Sequence, residues 1–130
     1  MKIGERKAET GKSGEADFRR RTFEFAARTV RLVEALPSSP TNNAIGHQLL
    51  WAGTSVGANA RAAKRARSRA EFAAKMGIVE EEADESMYWI ELLVELKKTD
   101  PKKVEPLHKE ANAILSIAIA SIKTAKSNAR

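Results

Sequence analysis

The sequence has no cysteine. A disulfide framework, a thiolate metal site and a cysteine nucleophile are therefore excluded. Glycine and proline are sparse, at 7 and 4 of 130 residues, and aromatics make up 5%. Sheets draw on aromatic and β-branched residues, so this balance favours helix over strand. Long apolar runs are missing too. The longest, residues 113–122, holds about ten residues including Ser116 and Ser121, against the roughly 20 a spanning helix needs. The start, MKIGERKAETGKSGEAD, is polar and does not read as a secretory signal. These absences set the expectation of a soluble, cytoplasmic protein with no membrane partner.

What is present suits one helical domain with one core: 42% hydrophobic and 31% charged residues in a chain of this length. Residues 1–16 read as a flexible tail, 17–126 as the folded unit and 127–130 as a second short tail. Asp17 is placed to cap a first helix carrying Phe18, Thr22, Phe23, Ala26, Val30, Val33 and Leu36 at helical spacing. "PSSP" at 37–40 is turn chemistry. Thr41 or Asn42 is placed to cap a second helix with the stripe Ile45, Leu49, Ala52, Val56, Ala60 and Ala63. Ser68 and Glu71 match a capping box, so a third helix starts there. It carries Phe72, Met76, Val79, Ala83, Ser86, Ile90, Leu93 and Leu96 and runs to about Lys98. A fourth is expected near Val104, with Leu107, Ala111, Ile114, Ala118 and Ile122. Four amphipathic helices with short links make an all-α, antiparallel up-down four-helix bundle. Ile78, Trp89 and Leu92 add a second apolar face to the third helix. That face fits a partner subunit, with Tyr88, Trp89 and Ile78 as interface residues, or a central position in the bundle.

The net charge of +6 is, by itself, a statement about solubility and association. Its distribution is more informative. Alternating helix direction brings Arg19, Arg20 and Arg21, the block Arg61, Lys64, Arg65, Arg67 and Arg69, and Lys123 with Lys126 to one end. Glu71 is the main local opposition. Glu80, Glu81, Glu82, Asp84 and Glu85 fall roughly 18–25 Å along the third helix from that end. Part of the basic block complements the dipole at the second helix's C-terminus, at about 0.3–1 kcal/mol per residue.

The stretch TSVGANARAAKRARSR changes character from small residues to this cationic block. Gly53 and Gly57 inside a helix each cost about 1 kcal/mol against alanine. Close helix packing at Gly53, Ser55, Gly57 and Asn59 offsets that cost. The competing reading is a pocket at these small residues, facing the third helix's carboxylates.

Several segments resemble bacterial four-helix-bundle proteins related to those encoded in intervening sequences of large-subunit rRNA genes. They are RTFEFA, LP, QLL followed by GTSVGAN, SRAEFAAK, EEADESMYWIELL and EANAILSI. The resemblance covers about residues 18–126. It implies an up-down bundle assembling as a homopentamer, with a role mostly unassigned. Accessory proteins of diversity-generating retroelements are a distant relation; they imply a basic oligomer that meets a polymerase and nucleic acid. Glu82, Glu85 and Tyr88-Trp89 match the family pattern. Arg61 and Ala62 stand where acidic residues are usual, Trp51 where Arg is frequent and Glu81 where Lys is, so this chain's end is the more basic.

No reaction is legible. Glu105-Pro-Leu-His108 matches one half of a di-iron motif, but the second Glu-x-x-His pair is missing; Ala44 stands three residues before His47. Glu82 and Glu85 have the chemistry of an acid–base pair if they face a cleft. There is no phosphate loop, HExxH or nucleophile–His arrangement. The expectation is a non-enzymatic homo-oligomer with no cofactor and no metal. Its basic end binds RNA or DNA through phosphates; the alternative is a scaffold for an enzyme partner such as a polymerase. Trp51, Tyr88 and Trp89 have faces on which bases stack, and core or interface roles compete with that use.

Overall fold

The structure, a computed structural model, describes residues 13–128. It contains four α-helices: α1 (Ser13–Ala35), α2 (Pro40–Lys64), α3 (Arg69–Glu95) and α4 (Pro101–Ser127). Each packs along its chain neighbour in antiparallel fashion, while α1 and α4 meet along a much shorter seam. The longest helices, of 27 residues, reach about 40 Å. Of the expected tails, 1–16 and 127–130, residues 1–12 and 129–130 lie outside the described part, while 13–16 belong to α1 and Ser127 ends α4.

The helix starts are set by caps, not all of them the expected ones. Ser39 caps α2, accepting from Asn42 N–H, with Pro40 at the first helical position. Thr41 and Asn42 are thus already helical, because proline's fixed φ pre-organises the first turn. Asn42 is buried instead, and its amide donates to Pro37 O at 2.8 Å across the turn. The Ser68 cap holds as expected, accepting from Glu71 N–H. The Glu71 carboxylate reaches back one residue further than a capping box requires, to Arg67 N–H at 2.9 Å. Asp100 caps α4 at Pro101, a turn earlier than expected, so Pro106 lies inside the helix rather than at its first position. α1 begins at Ser13, ahead of Asp17.

α3 ends in a Schellman motif. Lys98 N–H donates to Leu93 O and Lys97 N–H to Val94 O, with Lys97 at φ 59. Glycine is the usual residue there, since a side chain in the left-handed region is strained.

The core is built from the expected stripes of α2, α3 and α4: Leu49, Val56, Met76, Val79, Ile90, Leu93, Leu107 and Ile114 are all buried. α1 contributes differently from the expectation. Phe25 is fully buried whereas Phe23 is 61% exposed. The inward stripe is Thr22, Phe25 and Thr29, and both threonines bury their hydroxyls by donating to carbonyls one turn back, Phe18 O and Phe25 O. A hydroxyl satisfied within its own helix loses most of its burial penalty.

Candidate nucleic-acid interface and subunit face

Gly53 and Gly57 form a close seam against α1. A Cβ at Gly53 would lie 2.5 Å from Thr29 Cγ2, and one at Gly57 would lie 3.1 Å from Thr22 O. The glycines therefore serve helix packing. Both glycines are turned away from α3's carboxylates. Ser55 and Asn59 lie on the opposite flank of α2, toward α3. There the Asn59 amide donates to Ser55 O and Oγ, both at 3.0 Å.

That flank adjoins a second stripe. Ile78, Glu82 and Trp89 recur at one angular position on α3. Glu91, half a turn away from Glu82, meets His108 of α4 at 2.7 Å, which fixes the opposite flank as the one facing α4. Trp51, Ser55 and Asn59 of α2 thus run beside Ile78, Glu82 and Trp89 of α3. Trp51 is 69% exposed and Tyr88 55%. Tyr88 and Trp89 meet edge to face, with centroids 4.8 Å apart. Trp89 Nε1 and Glu82 Oε1 are enclosed, yet neither has a hydrogen-bond partner. Burial, with Glu85 and Glu81 adding like charge, pushes the Glu82 carboxyl above the usual range. Glu85 is exposed, and no cleft places it opposite Glu82 as a catalytic pair.

The basic end is assembled from all four helices. Arg19 of α1 and Lys64 of α2 line one cavity; Arg69 of α3 and Lys126 of α4 line a neighbouring one. Arg61 lies one turn before Lys64, and Lys123 one turn before Lys126. Arg65 and Arg67 sit in the α2–α3 link. Arg61, Lys64, Arg65, Arg67, Arg69, Lys123 and Lys126 are all exposed. Among the described residues, no ion pair engages the side chains of Arg19, Arg61, Arg65, Arg67, Arg69, Lys123 or Lys126.

Two arginines of α1 behave otherwise. Arg20 pairs with Glu24 at 2.8 Å on its own helix. Arg21 makes a two-pronged contact to Glu110 of α4, with Nε and Nη2 each at 2.9 Å. The Glu110 hydrogen bonds raise the Arg21 pKa above its ordinary value, outweighing partial desolvation. Arg21 is thus the clasp of the short α1–α4 seam. Sequence spacing gave no signal for it, since the partners lie 89 residues apart.

The opposite end carries Lys97, Lys98, Lys102 and Lys103, but Glu95, Asp100 and Glu105 stand among them. His108 is held by Glu91 there rather than by a carboxylate set, and among the described residues no group of three or more His, Asp or Glu is arranged to hold a metal ion. Among the described residues, no helix is long and apolar enough to cross a membrane.

No curated protein matches the chain. A crystal structure from Bacteroides thetaiotaomicron VPI-5482, of a protein with unknown function from the S23 ribosomal protein family, superposes with a TM-score of 0.78. It is 34% identical, over 84% of this chain and 97% of that one. The 23S rRNA-intervening sequence protein profile matches residues 15–120. With the four-helix bundle in place and the profile spanning most of its length, the chain belongs to the 23S rRNA-intervening sequence protein family.

Proposed function

We propose that this protein is a non-enzymatic, cytoplasmic homo-oligomer whose basic pole binds RNA or DNA through phosphates, with little sequence preference. One observation carries the reading. Cations from all four helices converge on one end, most of them without a carboxylate partner in their own chain, while the other end interleaves both signs. Unneutralised Lys and Arg at a single pole attract a phosphate backbone and release its counterions. The name of the matched family supports RNA as the first substrate to test. Oligomerisation multiplies a modest site in each protomer.

The α2–α3 groove supports self-association. A second copy laid along Trp51, Ile78 and Trp89 covers the exposed rings of Trp51 and Tyr88. Whether five copies close the ring is read directly by mass.

Fluorescence anisotropy with labelled RNA of two unrelated sequences, from low to moderate salt, tests the binding. The expected result is similar affinity for both and a steep negative slope of log K against log salt. Absence of binding at low salt, or a flat slope, ends the reading. The same exposed Trp51 and Tyr88 support a scaffold for an enzyme partner instead. A protein partner that survives nuclease in a native pull-down, together with no RNA binding, selects the scaffold.

A further inference from the structure

The α1–α4 seam is clasped at Arg21–Glu110 and opens toward the basic pole. The gap is a cavity of ≈ 420 Å³ reached by all four helices. Its walls are Phe18, Phe72, Met76 and Ile117, and its floor is the small side chains of Ala60 and Ala63. Two alanines on the inward stripe of α2, at positions where a leucine would fill the space, leave it open. The volume falls within the 300–1,000 Å³ of small-molecule sites. Its polar residues are the exposed Arg19 and Lys64, and Ser121.

We infer that this cavity binds an amphiphilic anion, a medium-chain acyl carboxylate, with its tail among Phe18, Phe72, Met76 and Ile117 and its head on Arg19. The inference goes beyond the polyanion reading and does not depend on it. The distribution of polarity selects the ligand. An apolar wall meets no penalty against an acyl chain, whose burial contributes about 0.8 kcal/mol for each CH₂. A nucleobase carries several donors and acceptors on its edges, and leaving them unpaired against these walls costs about 1–3 kcal/mol each. Methionine and two rings adapt to a flexible chain. The cation at the mouth then distinguishes a negative head from a positive one.

Equilibrium dialysis of radiolabelled dodecanoate, below the concentration at which it self-associates, tests this. The expected result is saturable binding at one site per protomer. Dodecyltrimethylammonium, with the same tail and the opposite head, should compete at least about tenfold more weakly. Arg19→Glu should weaken dodecanoate by about tenfold and leave circular dichroism unchanged. Ser121→Phe, at the mouth on α4, should abolish binding without touching the core alanines. Non-saturable uptake, equal competition by the cationic amphiphile, or full binding by folded Ser121→Phe overturns the proposal. RNA affinity measured on Ser121→Phe separates the two readings, since that variant keeps every cation of the pole.

Discussion

Gly53→Ala and Gly77→Ala are the same chemical change with opposite expected signs. Each replaces glycine in a helix interior by alanine, a propensity gain of about 1 kcal/mol. At Gly77 a new Cβ would meet nothing within 4 Å, so that gain is kept. At Gly53 the Cβ would lie 2.5 Å from Thr29 Cγ2 and 2.7 Å from both Thr29 Cβ and Oγ1. Carbon contacts are comfortable at roughly 3.5–4.0 Å, so α1 and α2 must part by roughly 1 Å. Thr29 has no way to yield. It is fully buried, stiff at χ1 and tied by its hydroxyl to Phe25 O at 2.9 Å.

Overpacking costs about 1–3 kcal/mol, and contact this close belongs at the upper end. Less the propensity gain, the net loss is about 2 kcal/mol, a fall in Tm of roughly 6–10 °C. Thr29→Ala in the Gly53→Ala background should recover only part of it, since the Cβ-to-Cβ distance of 2.7 Å remains. Thermal unfolding followed by circular dichroism, at matched protein concentration, reads all three variants. Gly53→Ala equal to or above wild type, or Gly77→Ala falling as far as Gly53→Ala, would refute the seam as described.

Three further outcomes are expected. Lys97→Gly relieves the left-handed strain at the end of α3 and should stabilise by about 0.5–1 kcal/mol in denaturant unfolding; a loss of stability contradicts the Schellman assignment. Glu82 has its folded pKa raised by burial, so the protomer is most stable with Glu82 protonated and loses that stability as pH rises from the ordinary carboxylate value through the raised one. Glu82→Gln, measured at a dilution where light scattering reports protomer, should exceed wild type in stability at neutral pH and match it in acid; the reverse order removes the unpaired carboxylate. For Arg21 and Glu110, a double-mutant cycle to Gln and Gln should give a coupling of about 0.5–1 kcal/mol, and zero coupling means the clasp is only the proximity of two solvated groups.

The parts of the fold that depend on local chemistry were legible in the chain. Ser68 and Glu71 fix a helix start through groups within four residues of each other. The stripes of α2 and α4 are written in leucine, isoleucine, valine and alanine at helical spacing. α1 was harder, because Thr22 and Thr29 occupy inward positions and hide their polarity by bonding within their own helix, while Phe23 points outward. Ser39 does not announce itself as a cap, because the proline after it reads as turn. Lys97 offers no glycine to announce a left-handed residue.

At the candidate site, the convergence of Arg19, Arg61, Arg69 and Lys126 follows from helix direction alone and needs no side-chain knowledge. The engagement of Arg20 with Glu24 and of Arg21 with Glu110 does not, and it removes two cations from the expected set. The partner of Gly53 was equally out of reach, since a glycine in a helix reports that something comes close without saying which helix.

The central claim is that the pole, rather than net charge, attracts nucleic acid. Two variants of equal charge change separate these: Arg61, Arg65, Arg69 and Lys126 to Gln at the basic pole, and Lys97, Lys98, Lys102 and Lys103 to Gln at the opposite one. The decisive measurement is the slope of log K against log salt for both, on duplex RNA or DNA. The first should flatten the slope by about 2–4, at about 0.9 for each lost phosphate contact, and the second should leave it within about 1 of wild type. Equal flattening by the two variants, or none by the first, would contradict the account.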